Sequence, residues 1–551
     1  MDSDDEDTKH NNKKKKPSSR KRLRTSNPLS HARGKQQSHE NIWFRRIGAG
    51  YHLFTEYYAG QPMGTVCSTK VEVEGKEANT ASRSSQNQGG AGLSRAAKRR
   101  KKKKQKNNSA NDITEPQEHD NSTTNPSKET PKEDYNTHHP LLQALSKQSS
   151  DAVKASLRCC FQALAKQLSV TFRLRRCLDH DEVEQLKSLI QKEFQFLVKP
   201  LPFGDGYLYQ AKCSKQELNQ KYVPLKSFLL DHSQDGTVAR QEIGSMLPLL
   251  ALEQAGCLPR DKKCRILDVC ASPGSKTLQA LELVHGKSRI LANDVSEARL
   301  QSLKDAMERS GMPASLLERI GYTCEDARIL STSKPAHVVV CDVPCSGDGT
   351  VRKDAHILEL WKPSQGNVLH SLQLQILVRA LTLVAVGGVV CYSTCSLNPI
   401  ENEAVVAAAL KQLNSDEHQS NHDGNLKKQK RDSSSKPTVE LLEFPNIPGF
   451  QRRPGISSWR VADYQEERSS TQCDSGIDVS NYDDEDDDEI PHLVWHDSYQ
   501  DAMNLKMENA VSTMWCTEED NIKLHLDRCT RLWPQDHDAG GFFLALLRRN
   551  S

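Results

Sequence analysis

Aromatic residues make up only 5% of the 551 residues and hydrophobic residues 36%, with a mean hydropathy of -0.69. A chain this poor in apolar side chains cannot bury all of itself, so sizeable disordered stretches are expected. No apolar run approaches the roughly 20 residues that span a bilayer, which points to a soluble protein with no membrane partner. No signal-peptide pattern opens the chain, so its 16 cysteines are expected to be free thiols in a reducing compartment. Two phosphate-binding fingerprints are also missing. There is no G-x-G-x-x-G, and in the one P-loop-like segment Ser275 precedes Lys276 while Cys270 holds the place of the earlier glycine. No internal repeat is visible.

Net charge is small overall but large locally. The net charge of +3 hides basic and acidic blocks. Residues 1–40 form a polar, basic tail in which Lys13–Lys16 and Arg20–Arg24 read as a two-part nuclear import signal or a nonspecific RNA-binding arm. A short ordered patch at 41–68 contains Asn41–Phe44 and Leu53–Tyr58. Residues 69–137, rich in Ser, Asn, Gln and Lys and carrying Lys98–Lys104, read as a disordered insertion. Polar insertions recur at 415–436 and 466–489, the second ending in the acidic run Asp483–Glu489.

Two segments have globular composition. In 138–231, Leu141–Leu145, Ala152–Leu168 and Asp181–Phe196 show helical spacing and Val170–Leu174 alternates as a strand does, giving a small α+β domain. Arg173, Arg175 and Arg176 would form its basic edge, which on its own is as well explained by solvation as by nucleic acid. In 240–551 the pattern is strand–helix alternation, after a helix expected at Leu249–Ala255 beyond Pro248. Strands are expected at Arg265–Val269, Arg289–Asn293, Arg319–Thr323, His337–Cys341, Val389–Ser393 and Val439–Glu443, with helices at Thr277–Val284, Ser296–Ser310 and Val368–Val384. Such repetition implies an α/β fold, a parallel sheet with helices on both faces and a ligand site beyond the carboxyl ends of its strands.

The turn after the first of these strands, Cys270-Ala271-Ser272-Pro273-Gly274-Ser275-Lys276, is built of small residues that let backbone N–H groups approach a ligand. Asp294 ends the next strand at the distance from Gly274 from which an acid reaches ribose hydroxyls. Asp326 follows the third strand, where a carboxylate can meet an adenine amino group. An adenosine cofactor without a phosphate fits best, and S-adenosyl-L-methionine is one.

Cys345 and Cys395 each follow a strand, in loops that the other strand cysteines do not share. A zinc site made of Cys341, Cys345, Cys391 and Cys395 is the alternative, but strand and loop cysteines would not converge readily on a tetrahedron, so no metal is expected. Asn398, Pro399 and Glu401 read as the N-cap, first-turn proline and capping-box acid of a helix through Ala404–Leu413. Cys395 would then lie just ahead of a helix dipole that favours its thiolate. A thiolate is what methylation of cytosine C5 requires, because C5 becomes nucleophilic only after addition at C6. Cys395 or Cys345 can supply it, with Asp342 at the pyrimidine edge.

The segments RQEIGSM (240–246), DVCASPGSKT (268–277), Asn293-Asp294, CDVPCSGDGTVRK (341–353) and YSTCSLNPIE (392–401) resemble the NSUN (NOL/NOP/Sun) family of RNA cytosine-5 methyltransferases. The resemblance covers about 141–549 apart from the insertions. It implies a Rossmann-like SAM-dependent methyltransferase domain behind a small RNA-binding domain at 138–231. Cys395 is thereby implied as the nucleophile and Cys345 as the cysteine that assists release, with Asp342 beside them. Residues 270–276, Asp294, Asp326 and Asp342 are implied on the cofactor side. The DVPCSGDGT-x-RK form resembles the tRNA-modifying branch, so tRNA is the expected partner of a monomeric enzyme in the nucleus or nucleolus. Ribosomal RNA as substrate, or an inactive RNA-binding protein, are the alternatives. A DNA-type enzyme would use the Pro-Cys thiol as nucleophile and leave the second loop cysteine without a role.

Overall fold

The computed structural model describes residues 48–61, 151–414, 438–465 and 492–551. The basic tail 1–40, the insertion 69–137, Leu141–Leu145 and the insertions 415–436 and 466–489 lie outside the described residues.

Four short strands make the smaller sheet: β1 Ser169–Leu174, β2 Val198–Pro200, β3 Leu208–Ser214 and β4 Val238–Arg240, in the order β2-β3-β1-β4 and antiparallel throughout. Its last strand lies beyond residue 231, where the sequence placed the end of this domain. The helix His180–Phe194 opens with a capping box, Asp179 accepting from Glu182 N–H, and buries Val183, Leu186 and Ile190 against Phe172, Leu174 and Val198. The helix Asp151–Leu164, which the sequence assigned to this domain, packs elsewhere. Its Leu157, Phe161 and Leu164 join Phe54, Tyr57 and Tyr58 of the early helix Gly48–Gly60 in a cluster with Val351, Trp361 and Leu397.

The basic edge is corrected by the structure. Arg173 and Arg175 are 3% and 2% exposed and both pair with Glu282, at the end of the helix Ser275–Leu283. Arg173 Nε also donates to Gln241 at 2.7 Å, and Arg175 donates to the Ser310 carbonyl at 2.9 Å. These cations join the small sheet to the large domain and are closed to nucleic acid. Arg176 alone of the three lies partly open, over the Tyr207 ring.

In the larger sheet, β5 Arg265–Asp268, β6 Arg289–Asn293, β7 Ile320–Thr323, β8 Ala336–Asp342 and β9 Val384–Thr394 run parallel in the order β7-β6-β5-β8-β9. β10 Val439–Leu441, β11 Arg453–Pro454, β14 Thr530–Leu532 and β15 Phe542–Arg549 extend it antiparallel beyond β9. β12 Val461–Gln465 and β13 His492–His496 form a separate hairpin. The β-branched runs are buried continuously, as in a sheet covered on both faces, with alternate residues entering opposite cores. Val338 and Val340 face one core with the helices Ile243–Gln254 and Glu297–Glu308; Val339 and Cys341 face the other with Pro363–Leu383 and Glu403–Asn414. The chain reverses its direction of winding between β5 and β8, which opens the crevice there at the carboxyl edge. The strands expected from the sequence occur within a few residues of their expected bounds. The helix expected from Leu249 instead begins at Ile243, with Pro248 inside it. No helix among the described residues is long and apolar enough to cross a membrane.

Candidate active site

β8 and β9 pair in register through Asp342 and Ser393, so the loops that leave them begin side by side. The two loop cysteines meet there, Cys345 Sγ 3.2 Å from Cys395 Sγ. The hydrogen bond to Cys395, and then burial, push the Cys345 thiol well above its usual range, so Cys345 keeps its proton. Cys341 and Cys391, in contrast, point into the cores on opposite faces of the sheet. Among the described residues no group of three or more His, Cys, Asp or Glu side chains is arranged to hold a metal.

The segment after Cys395 is not the helix N-terminus that the sequence suggested. The helix begins at Glu403, so residues 396–402 separate Cys395 from it, and a helix dipole fades within its first turn. Asn398 Oδ1 caps a local turn by accepting Ile400 N–H at 3.0 Å. Glu401 turns back to the cysteine loops instead. Its Oε1 accepts Ser346 N–H at 2.8 Å and Gln373 Nε2 at 3.0 Å; its Oε2 accepts the Ser346 and Ser396 hydroxyls at 2.5 and 2.6 Å. Burial, then the Asp348 carboxylate, raise its pKa.

Asp348 is also buried, and accepts from Leu397 N–H at 2.7 Å and from the Tyr58 hydroxyl of the early helix. Tyr57 donates to Asn398 Oδ1 at 2.8 Å. The helix Gly48–Gly60 of the short patch thus packs against the cysteine loops. Gly349 N–H donates to the Cys395 carbonyl at 3.0 Å, and a Cβ at Gly349 would lie 2.7 Å from that oxygen and 2.5 Å from the Gly541 carbonyl. Only glycine fits. Glu403 and Arg531 form a fully buried pair (2.5 and 2.6 Å), and Arg531 Nη1 also holds the Leu397 carbonyl at 2.7 Å.

On the cofactor side, Lys276 leaves its own loop and bridges to Asp342 at 2.8 Å. Asp342 also accepts the Ser393 hydroxyl at 2.6 Å. Burial opposes the charge on Lys276, but the Asp342 and Asp268 carboxylates outweigh it and its pKa rises. Lys276 thereby ties the cofactor loop to Asp342, which the sequence placed on both the cysteine and the cofactor sides. Ala271 N–H donates to the Asn293 carbonyl at 2.8 Å and Ser272 N–H to Asp294 at 3.3 Å, which seats residues 270–273 against the end of β6. Gly274, with φ +106, lets the chain enter the helix at Ser275 while Leu303 and Met307 crowd the place of a Cβ. Ser275 itself meets Ser245 at 3.1 Å, and the Cys270 thiol is buried and pushed up by that burial.

Asp294 stands where a ribose would be held, but three donors already use it: Ser272 N–H, Ser296 N–H and Arg299 Nε, each 3.2–3.3 Å away. A carboxylate has about four acceptor directions, which leaves about one for a hydroxyl while Arg299 stays in place. Asp326 is turned to Arg328, whose hydrogen bond lowers its pKa, and makes no contact with the loop 270–276. No role was expected for Asp268. It accepts the Thr277 hydroxyl at 2.7 Å through Oδ2, while Oδ1 is buried without a partner. Burial raises its pKa to about 7, with Asp342 adding to the rise. An orphaned acceptor and open acceptor directions along this edge fit a ligand with an ammonium group and ribose hydroxyls. Asp268, Asp348 and Glu401 could have been suspected as acids at strand ends or close after a cysteine; their partners, up to hundreds of residues away, could not.

Residues 256–446 match the family model described as 16S rRNA methyltransferase RsmB/F. A multisite-specific tRNA (cytosine-C5)-methyltransferase of Schizosaccharomyces pombe is 32% identical over 420 residues, 69% of this chain and 52% of that protein. A tRNA (cytosine(34)-C5)-methyltransferase of Drosophila melanogaster is 30% identical over 392 residues, 67% of this chain and 45% of that protein. The chain thus spans about half the length of these curated relatives. Among solved structures, a methyltransferase homolog protein from Pyrococcus horikoshii superposes with a TM-score of 0.44 at 20% identity, covering 73% of this chain and 91% of that one. Residues 256–446 thus carry an RsmB/F-type methyltransferase domain, and the motif resemblance and the similarity to tRNA (cytosine-C5)-methyltransferases over about two thirds of this chain agree with it.

Proposed function

We propose that this protein transfers a methyl group to C5 of cytosine in RNA, with tRNA as the substrate, through a covalent bond between Cys395 and C6. The observation that carries the reading is the contact of Cys345 and Cys395 at 3.2 Å beside an Asp342 carboxylate that Lys276 ties to the cofactor loop. S-adenosyl-L-methionine, held by residues 270–276, Asp268, Asp294 and Asp326, supplies an electrophilic methyl group when bound.

The Cys395 thiolate adds to C6, and electron density moves into the ring. Asp342 meets the pyrimidine edge, and the Lys276 ammonium offsets the negative charge that builds there. Once C5 carries the methyl group, a base removes the C5 proton, the C5=C6 bond re-forms and Cys395 leaves as thiolate. Cys345, protonated and in contact with that sulfur, donates to it as it departs and so lowers the barrier to release.

The names of the relatives support tRNA over ribosomal RNA. Exposed Lys199, Lys212 and Lys215 of the small domain, with Phe196 beside them, are suited to RNA phosphates and bases. Lys13–Lys16, Arg20–Arg24 and Lys98–Lys104 support nuclear import and a further, sequence-independent attraction to RNA.

Denaturing electrophoresis with a cytosine-containing tRNA substrate tests the assignment. Cys395→Ala is expected to give no RNA adduct and a loss of methylation of at least about 1000-fold. Cys345→Ala is expected to accumulate an adduct through Cys395. An adduct with Cys395→Ala and none with Cys345→Ala would reverse the roles. Bisulfite sequencing of RNA from cells lacking the protein identifies the substrate, and loss of signal from ribosomal RNA alone would overturn the tRNA reading.

A further inference from the structure

Two thiols in separate loops stay in contact only if something fixes one loop against the other. Sulfur contact itself contributes little, and each loop is free to move about its own strand end. The side chains that cross between them are few. Ser346, directly after Cys345, and Ser396, directly after Cys395, both place their hydroxyls on Glu401 Oε2, at 2.5 and 2.6 Å. Glu401 Oε1 accepts the backbone N–H of Ser346 at 2.8 Å. Gln373, from the long helix Pro363–Leu383, donates to Glu401 Oε1 and to the carbonyl of Pro344, directly before Cys345, at 3.0 and 2.9 Å. The Cys345 loop is therefore gripped on both sides of the cysteine. Glu401 is itself fixed, because the Tyr392 hydroxyl of β9 donates to its carbonyl at 2.6 Å. The carboxylate is buried and never meets bulk water, so these donors must satisfy it.

We infer that Glu401 is a positioning residue for the two thiols: one buried carboxylate clamps the residue after each cysteine and so sets the spacing between the attacking and the releasing sulfur. This rests on the proposed roles of Cys395 and Cys345, and goes beyond them by assigning their spacing to a group that touches neither sulfur nor substrate. A carboxylate suits the position because it accepts four hydrogen bonds at once, two per oxygen.

The spacing can be read without substrate. Diamide takes the two thiol hydrogens and leaves a disulfide, which forms only when both sulfurs reach bonding geometry. Peptide mapping by mass spectrometry then measures the rate at which the Cys345–Cys395 crosslink appears. The wild-type protein is expected to crosslink readily. Ser396→Ala, which removes the hydroxyl that ties the Cys395 loop to Glu401 while leaving Glu401 and the backbone contacts of that loop in place, is expected to slow it by about tenfold or more, given how narrow disulfide geometry is. Glu401→Ala should slow it further, and Glu401→Gln, which keeps the shape and most of the hydrogen bonds, should restore most of the rate. In methylation assays Ser396→Ala should lower kcat by about 100-fold, the scale of a misplacement of about 1 Å, and leave KM for RNA and for S-adenosylmethionine unchanged.

Wild-type rates of crosslinking in folded Ser396→Ala and Glu401→Ala would overturn the inference, as would a wild-type protein that does not crosslink. Should Glu401→Ala fail to fold, Ser396→Ala and Glu401→Gln decide the matter between them. The two readings fail separately. Crosslinking that responds as expected in a protein that never forms an RNA adduct would leave the clamp standing and remove the proposed chemistry. The opposite result would remove only the clamp.

Discussion

Around Cys345 and Cys395 the loops are tied to one another by side chains that are almost all buried, whereas along 270–276 the acids rest on local donors and exposed arginines, and one buried oxygen is left unpaired. At the cysteine side, Asp348, Glu401, Glu403 and Arg531 are fully buried, and each has protein partners. At the cofactor side, Asp294 pairs with an Arg299 side chain that is 58% exposed, Asp326 with an exposed Arg328, and Asp268 keeps one oxygen unpaired. The difference follows from what each side has to do in the proposed chemistry. Attack needs two sulfurs and a carboxylate held in place before the base arrives, so the protein completes that network itself. A cofactor that must come and go has to find acceptors not yet saturated, and surface arginines release a carboxylate at little cost.

Breaking the buried network should therefore be costly in stability, while breaking the open one should mainly affect binding. The largest effect is expected for Glu403→Ala. It leaves the Arg531 guanidinium buried and unpaired, a loss of about 3–5 kcal/mol of folding stability in urea titrations. A loss well below that range would mean that Arg531 reaches water and that the cysteine side is looser than its packing implies.

Asp294→Ala comes next. The folded variant should bind S-adenosylmethionine about 1.5–3 kcal/mol more weakly by calorimetry, the scale of hydrogen bonds to a charged group. Equal affinity would remove Asp294 from the cofactor side. Arg299→Ala refines the test: if Arg299 must swing away for both ribose hydroxyls to reach Asp294, its removal strengthens binding.

A pH slope from Asp268 tests the open side without any ligand. Its folded pKa, about 7, lies above the ordinary value of 3.8, so the folded state binds the proton more tightly than the unfolded one. Stability of the ligand-free protein should therefore fall as pH rises from about 4 through about 7, because above that range a buried charge has been created. Asp268→Asn should flatten this slope in thermal melts across the same range, and an unchanged slope would place its origin in another group.

The resemblance of the motifs and the local patterns brought the cysteines, the cofactor loop and the strand segments within reach of the sequence because each is local. A run such as Val338–Val340 shows a buried strand whatever surrounds it, and small residues after a strand show a close backbone approach. Local patterns also misled. Asn398, Pro399 and Glu401 have the spacing of a helix start, yet Glu401 gains more from two serines and a glutamine across the crevice than from its own N-cap. Arg173 and Arg175 look like a surface for RNA because charge in sequence is normally exposed; only the approach of Glu282 shows them to be internal.

The sequence by itself determined which elements form, in what order, and which residue types stand at the ends of the strands, since propensity, periodicity and turn chemistry act over a few residues. Only the tertiary structure decided which of those ends meet. That Cys345 touches Cys395, that Lys276 turns from the cofactor loop to Asp342, and that Tyr58 reaches Asp348 from 290 positions away are settled by packing. Burial makes each polar group take whatever partner the fold brings within reach, and distance along the chain does not reveal which one that will be.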